Sequence, residues 1–149
     1  MTKVYLRKKI SARVANGHPW IFGNEINNIE GAVTAGDVAE VYSHDKKFMG
    51  KGYLNPQSQI QVRLLTRDKN ETVDESFFHR RLQQAWNYRQ QLGYTESCRL
   101  VFGEADYLPQ LIIDKFNDYF VIQTLALDID VWKPAIVKTV EKIFQPKGI

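Results

Sequence analysis

The chain changes character between two nearby stretches, Gln59-Ile60-Gln61-Val62-Arg63-Leu64 and Thr72-Val73-Asp74-Glu75-Ser76-Phe77-Phe78, and that change decides how the rest is read. In the first, apolar and polar residues alternate with period two, as in a strand with one buried face. The second opens with capping-box spacing from Thr72 to Glu75. It continues through Phe78, Leu82, Ala85, Trp86, Arg89 and Leu92 at helical intervals until Gly93 supplies a stop. Charge sign and hydrophobic period both switch at Glu71 to Asp74. The sequence therefore predicts one domain over residues 1–70 and a second over 71–149.

Toward the N-terminus, Val4 and Leu6 alternate with Tyr5 and Arg7, and turn residues recur at Gly31, Gly36-Asp37, Asp45-Lys46 and Asn55-Pro56. About six short strands at this spacing predict a small barrel or curled sheet. One helical turn over Ser11 to Asn16, closed by Gly17, interrupts them. Gly50-Lys51-Gly52-Tyr53-Leu54-Asn55 lacks the third glycine of a dinucleotide fingerprint and reads as a tight hairpin. Toward the C-terminus, Arg99 to Phe102, Leu111 to Lys115 and Tyr119 to Leu125 read as strands, with Asn117-Asp118 as a hairpin turn. A last helix is predicted from a cap at Asp130, with Trp132, Ile136, Val140 and Ile143 on one stripe. The fold class is α+β: a small β-barrel, then antiparallel strands with helices. Ile149 opens another apolar run, so the second domain reads as truncated.

Composition bounds the function. With 149 residues, 44% hydrophobic and 25% charged, the chain is long enough for a core and unlike disordered, collagen or coiled-coil sequences. No apolar stretch reaches the roughly 18–20 residues that span a bilayer, and charges at Lys3 and Arg7 fall where a signal peptide needs an apolar run. A cytoplasmic protein with no membrane partner is the expectation. The single cysteine, Cys98, excludes an internal disulfide and multi-thiolate metal sites. Net charge is +3, but residues 1–70 hold 11 basic and 6 acidic side chains against 9 and 11 in the remainder. The basic half is the N-terminal half, which fits either an acidic partner or an ordinary solvated surface.

Catalytic motifs are missing. His18, His44 and His79 do not form a metal-binding pair, no serine sits in a nucleophile elbow, and Cys98 has no activating base in sequence view. Two segments are denser in unusual residues than a scaffold requires. Arg13-Val14-Ala15-Asn16-Gly17-His18-Pro19-Trp20-Ile21-Phe22-Gly23-Asn24-Glu25-Ile26 mixes cations, rings and glycines in one helix-to-strand passage. That combination suits phosphate bridging, base stacking and close backbone approach, or simply a capped helix leading into a core strand. In Arg99 to Asp114, the carboxylates Glu104, Asp106 and Asp114 suit either a divalent metal or turn-stabilising bonds to amides and to an arginine such as Arg99.

Three groups of residues, in this order and spacing, carry a resemblance. They are Gly17-His18-Pro19-Trp20-Ile21-Phe22 with Glu25-Ile26; Gly52-Tyr53-Leu54-Asn55-Pro56 followed by Ser58, Ile60 and Arg63; and Arg99-Leu100-Val101-Phe102-Gly103-Glu104-Ala105-Asp106 with Leu108-Pro109 and Asp114. The chain resembles the N-terminal part of bacterial class I S-adenosylmethionine-dependent ribosomal RNA methyltransferases of the RlmI type, which make 5-methylcytosine in large-subunit 23S rRNA. The resemblance implies an RNA-binding PUA domain over about residues 1–70 and a central α+β domain. A Rossmann-like methyltransferase domain, outside this chain, would carry the S-adenosylmethionine-binding glycine loop and the catalytic cysteine. Tyr107 and Gln110 stand where the family has small residues, often glycine.

The resemblance implies RNA contacts by Arg13, Gly17, His18 and Trp20, and charge and face arguments add Lys8, Lys9, Lys51 and Arg63. No catalytic residue, metal ligand or cofactor-binding residue is assigned in this chain. S-adenosylmethionine is implied only for the full-length parent, ribosomal RNA is the implied partner, and the oligomeric state, a homodimer included, stays open. The alternatives are a freestanding RNA-binding adaptor without catalytic activity and a small metal-dependent enzyme built on Glu104, Asp106 and Asp114.

Overall fold

Alternating burial organises the first of the two units into which the chain divides, Met1–Glu71 and Thr72–Ile149. The computed structural model describes all residues from Met1 to Ile149. In the first unit, strand β1 (Thr2–Leu6) leads to the short helix α1 (Ala12–Ala15), strand β2 (Trp20–Phe22), a 3-10 turn (Gly23–Glu25), and strands β3 (Ile26–Glu30), β4 (Val38–Tyr42), β5 (Phe48–Leu54) and β6 (Ile60–Thr66). They form one six-stranded sheet in the order β2-β6-β5-β4-β1-β3. Its pairs are antiparallel except β1 with β4. Inward residues from all six strands, among them Val4, Ile21, Ile26, Val41, Leu54 and Val62, meet Val14 of α1 in one core. A single sheet can enclose its own core only by curling, so the predicted curled sheet is what the alternation produces.

The Gly50–Asn55 stretch departs from expectation. It is no hairpin: Gly50 and Gly52 lie inside β5, and the turn comes one element earlier, at Ser43–Lys47, where Lys46 has φ 61°. A Cβ on Gly52 would stand 2.2 Å from the carbonyl oxygen of Arg63, so glycine here permits close approach of β5 to β6 rather than a reversal of direction.

In the second unit, helix α2 (Glu75–Gln91) precedes strand β7 (Ser97–Phe102), a 3-10 turn (Gly103–Asp106), strands β8 (Leu111–Phe116) and β9 (Tyr119–Thr124), and helices α3 (Leu127–Asp130) and α4 (Lys133–Phe144). The antiparallel sheet runs β7-β8-β9. Phe78, Leu82 and Ala85 of α2 and Ile136 and Val140 of α4 are buried, as are Leu100, Leu111, Ile113 and Phe120 of the sheet. Both predicted helix starts shift. Asp74, not Thr72, caps α2 by accepting from the Phe77 N–H at 3.0 Å. Glu75 is thereby released from the expected box and pairs instead with Lys138 and Lys142 of α4. Asp130 ends α3 rather than capping α4, because its carboxylate is held by the Thr124 hydroxyl and Lys133. The Asn117-Asp118 turn stands as expected, with Asn117 at φ 53°. Tyr107 (φ 58°) and Gln110 (φ 62°), the two positions where small residues were expected, both adopt left-handed backbone.

Candidate nucleic-acid interface

The interface grows from the passage between α1 and β2. Ser11 caps α1, and Gly17, at φ 98°, closes it. Arg67, from just beyond β6, donates to the Gly17 carbonyl at 2.9 Å and to that of Met49 at 3.0 Å, fixing the loop from the far end of the unit. Imidazole Nδ1 of His18 receives the Arg13 guanidinium at 3.1 Å and the Trp20 N–H at 3.2 Å. Both neighbours are donors, so Nδ1 is the acceptor and the ring proton sits on Nε2. His18 and Trp20 meet edge to face at 5.2 Å, and the Arg13 guanidinium lies 4.8 Å above the Phe22 ring. Ile21 points into the core while Trp20 and Phe22 stay half-buried on the outer face.

Glu25 holds the arrangement from beneath. It is buried, and its carboxylate accepts the Ser11 N–H at 3.0 Å and the Phe22 N–H at 2.9 Å, joining the start of α1 to the end of β2. Burial alone would raise its pKa; the bonds from Ser11 and Phe22 and the charge of Arg13 outweigh that and hold the group below the ordinary carboxylate value.

Above this base lies a cleft of about 700 Å³ bordered by Lys9, Arg13, Phe22, Asn24, Ser58 and Gln61. A second, of about 640 Å³, is bordered by Tyr5, Arg7, Lys8, Lys9, Asn28 and Lys46. Lys9 lines both, so cations, amide side chains and rings share one side of the unit. The structure thus groups Arg13, His18 and Trp20, places Lys8 and Lys9 on the cleft borders, and ties Gly17 in through Arg67. Lys51 and Arg63 are a correction: each is only 6% exposed. The Lys51 ammonium donates to the carbonyls of Lys69 and Glu71 at 2.7 and 2.8 Å, and Arg63 lies beside Trp20 on the same face as its cross-strand partner. Sequence reasoning singled out neither Arg67 nor Gln61 as a site residue. The Gly17 carbonyl that Arg67 bonds lies 50 positions away, and Gln61 shares its cleft with Arg13, Phe22 and Asn24 from a distant part of the chain, beyond any local signal.

In the second unit the three carboxylates serve separate partners. Asp106 grips Arg89 at 2.6 and 2.8 Å, Asp114 grips Arg99 at 2.9 Å, and Glu104 takes the Gln110 amide. No group of three potential ligands is placed to hold a metal ion. Burial pushes the Cys98 thiol up, against the lowering pull of Arg89 and Lys115, which is the opposite of an activated nucleophile. No helix is long and apolar enough to cross a membrane.

Comparison with known proteins places this geometry. Residues 4–67 match the PUA-like domain family. Ribosomal RNA large subunit methyltransferase I of Klebsiella pneumoniae is 35% identical over 145 residues, covering 95% of this chain and 36% of the relative. The protein of the same name from Aliivibrio fischeri is 35% identical over 144 residues, with the same coverage. A solved Streptococcus mutans structure, described as a SAM-dependent methyltransferase, superposes with TM-score 0.80 at 17% identity over 98% of this chain and 39% of its own. Another, described as a methyltransferase complexed with SAH, gives the same TM-score and identity. The chain therefore spans little more than a third of the length of the relatives it matches. Its first unit matches the PUA-like domain family over residues 4–67, and the chain as a whole is similar to the corresponding portion of the ribosomal RNA large subunit methyltransferase I proteins.

Proposed function

We propose that this chain is the RNA-anchoring portion of a ribosomal RNA methyltransferase and that it presents RNA to a catalytic portion outside these residues. Arg13, Gly17, His18 and Trp20 form the contact surface, with Lys8 and Lys9 on the cleft borders. Lys51 and Arg63, both buried, act as supports, Arg63 as the cross-strand neighbour of Trp20. The observation that carries this reading is the Arg13 guanidinium held between His18 and Phe22 over a buried Glu25. It offers a fixed cation, two half-buried rings and a glycine-closed loop within the segment that matches PUA-like domains. Lysine and arginine would neutralise phosphates and supply salt-dependent affinity, and Trp20 would stack on an unpaired base.

The transferred methyl group, in this reading, goes to a ring carbon of cytosine in large-subunit rRNA, which requires the base to be taken out of its pair, a step that firm anchoring assists. S-adenosylmethionine supplies the methyl group in such enzymes. This chain's residues do not fit it: the passages from strand to α-helix at residues 7–11, 67–74 and 125–126 contain no glycine, and Gly50 and Gly52 are spent on strand packing.

Fluorescence anisotropy with a large-subunit rRNA fragment, across a salt series, tests the proposal. Saturable binding that falls with salt and weakens in Arg13→Ala and Trp20→Ala is the expected result. Wild-type affinity in both variants, or no binding at low salt, would overturn it.

A further inference from the structure

The second unit carries a pocket that anchoring by the first leaves unused. It is about 400 Å³ and lies between α2 and the 3-10 turn after β7, with Arg81, Tyr88, Arg89, Phe102, Asp106 and Tyr107 in its lining. Three of those residues are large rings left in solvent: Tyr88 is 54% exposed, Phe102 56% and Tyr107 66%. Single exposed rings are ordinary, whereas three around one pocket mark a surface that meets something. Tyr107 sharpens the point, because its backbone is left-handed at φ 58°, a conformation that costs a side-chain-bearing residue energy which this exposed ring does not recover by burial.

Each ring already carries a guanidinium. Arg89 lies 5.3 Å from the Tyr88 centroid, Arg99 5.4 Å from Phe102, and Arg81 5.5 Å from Tyr107. Two of these cations are fixed: Arg89 by the two-pronged bond to Asp106 and a bond to the Arg99 carbonyl, Arg99 by Asp114. Asp106, the one carboxylate in the lining, also accepts the Phe102 N–H and is consumed inside. The pocket therefore presents ring faces and the guanidinium planes of Arg81 and Arg89, with Arg99 against Phe102 outside the lining, and no outward carboxylate. The lysines of this unit lie elsewhere, on Glu75, Asp118, Asp130 or, for Lys115, backbone carbonyls. Arginine, not lysine, is the cation that stacks in a plane.

We infer that this pocket is a second RNA contact, a stacking site for unpaired bases, and the inference rests on the RNA-anchoring reading of the first unit. A flat base with a π-face on either side continues the guanidinium-ring pile, and its strand is an anion matched to a lining free of exposed carboxylates. An aliphatic protein side chain would use the rings but not the guanidinium planes.

The test uses the full chain and a short single-stranded RNA containing 2-aminopurine, whose fluorescence falls on stacking. Tyr88→Ala sits on an exposed helix face and Tyr107→Asn suits left-handed backbone, so both should keep the wild-type circular dichroism spectrum. Each is expected to weaken binding about tenfold and to reduce quenching, with the salt dependence unchanged, while Tyr88→Phe binds as wild type. Wild-type affinity and quenching in both variants would overturn the inference, and if Arg13→Ala still weakened binding, the first-unit reading would survive. No RNA binding by the wild-type chain would overturn both. Loss of self-association in sedimentation, with RNA affinity unchanged, would make the pocket a protein-docking face and overturn the inference as well.

Discussion

With the exception of Lys115, which donates to backbone carbonyls, the named cations of the two units are treated in opposite ways. In the first, Arg7 donates to the Ile26 carbonyl, Arg13 to a neutral imidazole nitrogen, Arg67 to the carbonyls of Gly17 and Met49, and Lys51 to those of Lys69 and Glu71. In the second, Arg89, Arg99, Lys133, Lys138, Lys142 and Lys147 all sit on carboxylates. A cation bonded to a neutral dipole is aimed but keeps its field; one bonded to a carboxylate is aimed and cancelled. Charge counting cannot separate the two cases, yet only the first produces long-range attraction for a polyanion.

The largest test of this contrast is the Arg89–Asp106 pair, whose side chains are 11% and 8% exposed. Asp106→Asn leaves a buried guanidinium without its counter-charge and is expected to cost about 3–5 kcal/mol in urea unfolding; a loss under about 1 kcal/mol would mean that the pair is solvated and the contrast false. Lys51→Met comes next. It removes the shared donor of two backbone carbonyls, those of exposed Lys69 and half-buried Glu71, and is expected to cost about 1 kcal/mol in the same measurement, with little change in RNA affinity.

A smaller effect separates the units directly. Arg13→Ala is expected to weaken rRNA binding and to lower the slope of log affinity against log salt by about one. Arg99→Ala is expected to leave the slope as in wild type, since Asp114 already cancels that charge; equal slope changes in the two variants would erase the distinction. The smallest concerns Glu25. Its folded pKa is depressed below the ordinary glutamate value, so its contribution to stability is complete above that value and is lost as pH falls through the folded pKa. Glu25→Gln should therefore show a shallower drop in melting temperature below about pH 4.5 than wild type.

Much of the architecture was legible because it is written locally. Alternation revealed the strands, and the spacing of Phe78, Leu82 and Ala85 revealed α2. What misled was local signal with a distant cause. Gly50 and Gly52 look like a turn, but the reason for Gly52 is the Arg63 backbone on the neighbouring strand. Asp130 looks like a cap until Thr124 and Lys133 claim its carboxylate. The same rule divides the candidate site. Arg13, His18 and Trp20 lie within one short stretch and were readable together. The burial of Lys51 depends on carbonyls 18 and 20 positions on, and no pattern in the sequence announces it.

The link from Arg67 to Gly17, with β6 as the sheet neighbour of β2, has a consequence in time. Ribosomes deliver the α1–β2 passage early, but the strand that flanks it and the guanidinium that fastens its loop are delivered near the end of the unit. Closing so long a loop is a late event in folding. A nascent chain therefore carries the residues of the α1–β2 passage well before it carries their arrangement, and under the proposed reading competence to bind RNA would arrive only when synthesis has passed the last strand of the sheet.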